Sequence, residues 1–231
     1  MVSSKIKHVF IKILKPIIAF FGKLGIHPNV YTYIGLLMSI AAGVLIAIED
    51  FLPSFYHAFI PAVVLIALGA IMDFLDGNVA RYQGIASKRG GFLDSILDRI
   101  GDLAILAGIV IGGHVDIITG TIMIISAMMI SYIRAKGESL GLKKMAVGLM
   151  ERTERLFFLT ILIIIALAVP SFRDYVIYTT GNLITITGFS IGYMVLTLLC
   201  VITVFHRFIH SLILIKKESV DDESIDEEKT N

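Results

Sequence analysis

Apolar residues gather in six stretches, about 31–49, 56–80, 92–113, 116–135, 154–170 and 183–210. Each is near the length of about 20 apolar residues with which a helix crosses a bilayer. In lipid a backbone must satisfy its own hydrogen bonds, so the pattern predicts an all-α integral membrane protein with six transmembrane helices. Between them lie short breaks: Glu49-Asp50 to Pro53, Gly112-Gly113-His114, and Pro170 to Gly181. Residues 3–22 follow another pattern, with Lys5, Lys12 and Lys15 interleaved among Val9, Phe10, Ile13, Leu14 and Ile17. That suits an interfacial amphipathic helix, bent or split at Pro16. Glu218 to Asn231 is acidic and polar and reads as a solvated, disordered tail. The expected organisation is a juxtamembrane segment over 1–24, one membrane domain over 25–215 and the tail over 216–231.

Composition agrees with this pattern. Hydrophobic residues make up 56% of the chain, above the 45–50% or so of a soluble domain. The single cysteine, Cys200, lies in an apolar run and excludes an intrachain disulfide. No small-residue cleavage site follows the first apolar stretch, so no cleavable signal peptide is expected. The net charge of +1 says little, but its distribution says more. Lys5, Lys7, Lys12, Lys15 and Lys23 precede the first stretch, and Arg81, Lys88 and Arg89 join the second to the third. Arg134, Lys136, Lys143, Lys144, Arg152 and Arg155 join the fourth to the fifth, and Arg207, Lys216 and Lys217 lie in and after the sixth. The opposite loops hold only Arg173. The positive-inside rule therefore predicts a multi-pass cell-membrane protein with both termini and both basic loops in the cytoplasm.

Four carboxylates break the apolar pattern. Asp73 and Asp76 end one run, and Asp94 and Asp98 follow in the next. Three- and four-residue spacings put each pair on one helical face. Ionisable residues inside a span are costly and face a cavity or a partner. Four acids together repel unless a cation holds them, and hard oxygen donors suit Mg²⁺, Mn²⁺ or Ca²⁺ and not zinc. Gly77 and Ala80 are small enough to let a ligand approach the helix backbone, and Arg81 offers a fork suited to phosphate. Gly90 and Gly91 open the next helix, whose N-terminus favours anions. Together these suit a diphosphate ligand with its tail in lipid. A cation transporter is the alternative from another class, but an arginine within a cation path is unfavourable.

The segment from Asp73 to Asp98 resembles the signature of the CDP-alcohol phosphotransferase family, D-x2-D-G-x2-A-R-x8-G-x3-D-x3-D. Asp73, Asp76, Gly77, Ala80, Arg81, Gly90, Asp94 and Asp98 occupy every fixed position. The resemblance implies a binuclear Mg²⁺ or Mn²⁺ site held by Asp73, Asp76 and Asp94. It makes Asp98 the general base, with a possible further contact to metal, and puts Gly77, Ala80 and Arg81 against the CDP part of a CDP-linked lipid. His27 to Thr32 is similar to the family's P-N-x-x-T entry to the first span, where Asn29 and Thr32 would help line the nucleotide site. The same stretch also suits an ordinary helix start, broken by Pro28 and capped by Asn29 or Thr32. Family members form homodimers, so a homodimer is expected. The other expected partners are membrane lipid and a polar alcohol, not nucleic acid.

The second basic loop bears on that alcohol. Arg152 and Arg155 are three apart and share a helical face, and Arg134 and Arg207 lie near the same leaflet. Clustered guanidinium groups suit a phosphorylated acceptor. Lys143 and Lys144 suit contact with anionic lipid instead. The run from Ser131 to Glu138, with Glu151 to Leu156, resembles phosphatidylinositol phosphate and archaetidylinositol phosphate synthases. That implies inositol phosphate as acceptor. Glycerol phosphate, the acceptor of phosphatidylglycerophosphate synthases, is the rival. Direct displacement and a covalent enzyme intermediate both remain open.

Overall fold

The computed structural model describes residues 15–52, 54–142, 145, 147–180 and 184–230. The chain forms two compact units, divided after Gly108. Most of the expected amphipathic segment, and both Lys143 and Lys144, lie outside the described residues.

The first unit opens with a short helix over residues 15–23 (α1). It continues through α2 (Pro28–Ala47), a 3₁₀ turn (Glu49–Phe51), α3 (Phe55–Gln83) and α4 (Lys88–Ile111), whose last turn passes the division. Pro28 starts α2 because its fixed φ suits a first helical turn. The cap is His27, whose Nδ1 accepts from the Asn29 backbone N–H at 3.3 Å. Neither Asn29 nor Thr32 is therefore the cap. Gly84 ends α3 in the left-handed region at φ 71°, and the Ile85 N–H returns to the Ala80 carbonyl at 3.0 Å.

Small residues set the spacing of these helices. A Cβ built on Gly35 of α2 would lie 3.4 Å from the Gly69 carbonyl of α3, and the reverse holds for Gly69. A Cβ on Gly43 would overlap the Ala104 carbonyl of α4, and one on Gly108 would overlap the Gly43 backbone. Close approach through small residues is the usual way for helices to pack in lipid, where apolar side chains gain little from leaving the bilayer. Tyr31, Leu75 and Val79 form a buried cluster with Phe21 and Met72 against it. Gln83 donates to the Gly22 and Ile26 carbonyls at 3.1 and 3.2 Å, tying the end of α3 to the turn before α2.

The second unit holds α5 (Ile117–Ser139), α6 (Arg152–Ala168), α7 (Pro170–Asp174), β1 (Tyr178–Thr180), β2 (Ile184–Ile186) and α8 (Gly188–Thr230). Asp116 caps α5 by accepting from the Thr119 N–H at 2.8 Å. Thr187 and Ser190 exchange side-chain and backbone hydrogen bonds at the start of α8, a capping box. Helices α5 and α6 both pack on α8. Ile133, Leu142 and Met145 form a buried cluster against Val204 and Leu214.

Three expectations change here. The fold is helical but not purely so, since β1 and β2 pair antiparallel with Tyr178 opposite Ile186. The β-branched run Ile184-Thr185-Ile186 favours a strand over the helix start expected near residue 183. The expected disordered tail is instead helical as far as Thr230. Nothing between Tyr193 and Asn231 is a glycine or proline, so no residue there breaks α8. Finally, all six apolar stretches contain helix, but among the described residues four helices are long and apolar enough to cross a membrane: Pro28–Ala47, Tyr56–Gln83, Ile117–Ser139 and Gly188–Lys216. Helix α4 carries Arg89, Asp94, Asp98, Arg99 and Asp102. Helix α6 has only 17 residues, or about 26 Å at 1.5 Å per residue, against a hydrocarbon core of about 30 Å.

Candidate active site

Helices α3 and α4 carry the acids on facing surfaces of the first unit. One oxygen each of Asp73, Asp76 and Asp94 lies within 4.8 Å of the others. Asp76 is buried, and Asp73 and Asp94 are half-buried. Asp98 sits one turn further along α4, half-buried and outside this cluster. The structure thus gathers three of the four acids expected to bind metal. Four residues advance a helix by about 6 Å, so a shared face does not mean a shared ion.

The three carboxylates fit a divalent cation. Like charges this close raise each other's energy unless a positive charge lies among them. Oxygens on one Mg²⁺, at about 2.1 Å each, lie up to about 4.2 Å apart. Small side-chain rotations from the observed spacing satisfy that limit. The Asp76 Oδ2 accepts a hydrogen bond from the Thr32 hydroxyl at 2.7 Å.

A cleft of about 220 Å³ opens beside the cluster. His27, Asn29 and Thr32 line it from the start of α2, and Asp76, Gly77, Ala80 and Arg81 from α3. Ser87, Gly90, Gly91 and Asp94 close it from the start of α4. The Ser87 hydroxyl accepts from the Gly90 N–H at 3.1 Å, which fixes the first turn of α4. All five residues expected to touch the CDP-lipid, Asn29, Thr32, Gly77, Ala80 and Arg81, therefore share one cleft with two of the acids. His27 and Ser87 were missed, although a serine just before a helix is a readable start signal.

The glycines of the cleft differ from those between the helices. The three atoms nearest a Cβ on Gly77 would all belong to the Arg81 guanidinium, the first at 3.5 Å. On Gly90 it would meet the Ser87 hydroxyl at 3.4 Å and the Asn29 side-chain oxygen at 3.8 Å, and on Gly91 nothing within 4 Å. Packing does not demand glycine at these positions. Their effect is a bare backbone wall in the cleft. Arg81 is exposed there, donating to the Asn78 side-chain oxygen at 3.2 Å.

The four arginines expected at an acceptor phosphate belong to the second unit. Arg134 pairs with Glu138 at 2.9 Å and reaches Glu151 at 3.8 Å. Arg207 is buried, and its guanidinium donates to the Val147 carbonyl at 2.9 and 2.7 Å, to the Ile130 carbonyl at 2.9 Å and to Glu151 at 2.7 Å. A buried guanidinium needs such acceptors. Most of its donors are thereby committed to holding the segment before α6, so Arg207 is an anchor of the chain itself, contrary to its expected role as an open phosphate fork. The Thr203 hydroxyl adds a second tie, accepting from the Met150 N–H at 3.2 Å. Arg152 is half-buried at the first turn of α6. Arg155 is buried, with Cys200 and Tyr193 of α8 beside it. Glu151, which bridges Arg134 and Arg207, was not singled out from the sequence.

The sequence model of the CDP-alcohol phosphatidyltransferase family matches residues 25–205. The chain is 40% identical over 140 residues to an archaetidylinositol phosphate synthase of Pyrococcus horikoshii, covering 61% of this chain and 70% of that one. The fold is similar to that of Mycobacterium tuberculosis phosphatidylinositol phosphate synthase with CDP-DAG bound. The TM-score is 0.67 at 25% identity, covering 87% of this chain and 94% of that one. The same mycobacterial enzyme in complex with manganese and citrate matches with a TM-score of 0.66 at 26% identity, covering 85% and 87%. With the family's signature at every fixed position and its acids gathered in one cleft, this chain belongs to the CDP-alcohol phosphatidyltransferase family and is a transferase.

Proposed function

We propose that the protein transfers the lipid phosphoryl group of a CDP-linked lipid, CDP-diacylglycerol or CDP-archaeol, to inositol phosphate and releases CMP. The observation that carries this reading is the cluster of Asp73, Asp76 and Asp94 in a cleft whose wall is bare at Gly77 and Gly90. The relatives named as archaetidylinositol phosphate and phosphatidylinositol phosphate synthases support it.

In this reading Asp73, Asp76 and Asp94 hold Mg²⁺ or Mn²⁺, with Asp98 at hand for a second ion. Bound divalent ions neutralise the diphosphate and stabilise the departing CMP. Asn29 and the Gly77–Ala80 face orient the CDP part, with Thr32 lining the same cleft beside Asp76, and Arg81 at the cleft meets a phosphate oxygen. The acceptor hydroxyl gives its proton to the Asp98 carboxylate as its oxygen bonds to the lipid-side phosphorus. The bond from that phosphorus to the diphosphate's bridging oxygen breaks, and CMP leaves with that oxygen. Arg152 and Arg155 hold the acceptor phosphate. Arg134 joins them only by releasing Glu138 and Glu151. The chain works as a homodimer with six spans, α4 and α6 included, and the cleft faces the cytoplasm, as the basic loops require.

The base assignment has its own test. Asp98→Asn should lower turnover by about 10²–10⁴-fold, the usual worth of general-base help, while CDP-lipid affinity changes little. A matching collapse of affinity would make Asp98 a ligand for metal or substrate instead.

Arg155→Ala should raise the KM for inositol phosphate by about 10–100-fold, from about 1.5–3 kcal/mol for a charge-assisted hydrogen bond. CDP-lipid affinity should stay near that of the parent. Arg155→Lys should recover part of the loss, since an ammonium lacks the paired donors. Equal losses for both substrates, with a lowered melting temperature, would assign Arg155 to packing against α8.

The reading as a whole is tested by CMP release from purified protein with CDP-lipid, compared across inositol phosphate, glycerol phosphate, free inositol and serine. Inositol phosphate should be preferred. Preference for glycerol phosphate would keep the phosphate site and overturn the inositol assignment, and preference for free inositol or serine would overturn both.

A further inference from the structure

We propose that Thr32 is a positioning residue for the metal centre, whose hydroxyl fixes the Asp76 carboxylate so that its other oxygen stays turned to the cation. This rests on the reading of Asp73, Asp76 and Asp94 as metal ligands. The Thr32 Oγ1 donates to Asp76 Oδ2 at 2.7 Å. Both side chains are nearly out of solvent, Thr32 at 7% exposure and Asp76 at 6%. The bond joins two helices across 44 positions of sequence. It depends on the close packing of α2 on α3, which Gly35, three residues after Thr32, permits opposite Gly69.

Three other buried or half-buried helical threonines among the described residues use their hydroxyls differently. Thr160, Thr197 and Thr203 donate to the carbonyls of Leu156, Tyr193 and Leu199, four residues back along their own helices. That is the ordinary local bond of a threonine within a helix. Thr32 instead spends its one hydrogen on a carboxylate of the neighbouring helix. A hydroxyl has a single hydrogen to give, so this bond holds one oxygen of the Asp76 carboxylate and not both. The carboxylate is one of the three whose oxygens converge within 4.8 Å. Hydrogen bonds of this kind orient metal ligands, and their loss typically costs about 10–100-fold in metal affinity.

The test is Mn²⁺ binding to the purified protein, read by electron paramagnetic resonance without CDP-lipid, beside CDP binding at saturating Mn²⁺. Thr32→Val, which keeps the shape and removes the hydroxyl, should weaken Mn²⁺ binding by about 10–100-fold. Thr32→Ser, which keeps the hydroxyl, should bind within a few-fold of the parent. Thr32→Ala should match the valine variant and serves in its place if that variant does not fold. CDP binding at saturating Mn²⁺ should change little in all three. Parent-like Mn²⁺ affinity in Thr32→Val with weakened CDP binding would overturn the proposal and make Thr32 a nucleotide contact. Weakened Mn²⁺ binding in Thr32→Ser with parent-like binding in Thr32→Val would also overturn it, because the methyl and not the hydroxyl would matter. Absence of Mn²⁺ binding by the parent would overturn the metal reading along with it.

Discussion

Asp94→Asn, and equally Asp73→Asn, should abolish measurable CMP release while leaving the protein folded. Both carboxylates contribute an oxygen to the cluster within 4.8 Å, and both are only half-buried. An amide is nearly the same size, so packing is preserved, but it carries no charge to hold a cation. Removing one preorganised electrostatic contact costs about 10²–10³-fold in turnover, and a ligand to the ions themselves is worth at least that. Without metal the variant should be as stable as the parent or more so, since one of three mutually repelling charges is gone. The parent should gain melting temperature on addition of Mn²⁺, because a ligand that binds only the folded state stabilises it. The variants should lose that gain. Excess chelator should silence the parent, and added Mg²⁺ or Mn²⁺ should restore it. Full activity of Asp94→Asn, or of the parent in excess chelator, would contradict the metal reading.

Gly77→Leu should leave the fold intact and weaken CDP-lipid binding by roughly 10–100-fold, the equivalent of about 1–3 kcal/mol of overpacking. The atoms nearest a Cβ at this position belong to the movable end of Arg81. The added side chain therefore meets little of the protein and fills the cleft. Gly43→Leu is the contrast. A Cβ there overlaps the Ala104 carbonyl, so α2 and α4 must separate, and the melting temperature in detergent should fall sharply. Parent-like CDP-lipid affinity in Gly77→Leu would show that the substrate does not lie on this wall.

The aspartates were legible in the sequence because their spacing is local. Three- and four-residue intervals fix which acids share a face before any tertiary contact is known. The roles of the glycines were not legible. Gly43 and Gly77 are the same letter in similar apolar runs, and only the neighbouring helix shows that one is packed and the other bare. The bond from Thr32 to Asp76 crosses 44 positions, so the pattern near Pro28 allowed a cap at Thr32 as readily as a contact in the cleft. Arg207 read as a phosphate ligand because clustered guanidinium groups near one leaflet suit a phosphorylated acceptor. Its partners are the Val147 and Ile130 carbonyls, which every residue possesses and no motif announces. Strand β1 lay in a break and β2 at the start of an apolar stretch that read as helix, so their ladder was hidden.

The most direct measurement follows both products and both possible fates of the cation. Purified protein in vesicles is given CDP-lipid, inositol phosphate and Mn²⁺, and the lipids are weighed by mass spectrometry while CMP is counted. The account predicts one lipid carrying the inositol phosphate head group for each CMP released, with neither formed by Asp94→Asn. Uptake of Mn²⁺ into the vesicles with no CMP and no new lipid would contradict it and make the acids part of a transport path.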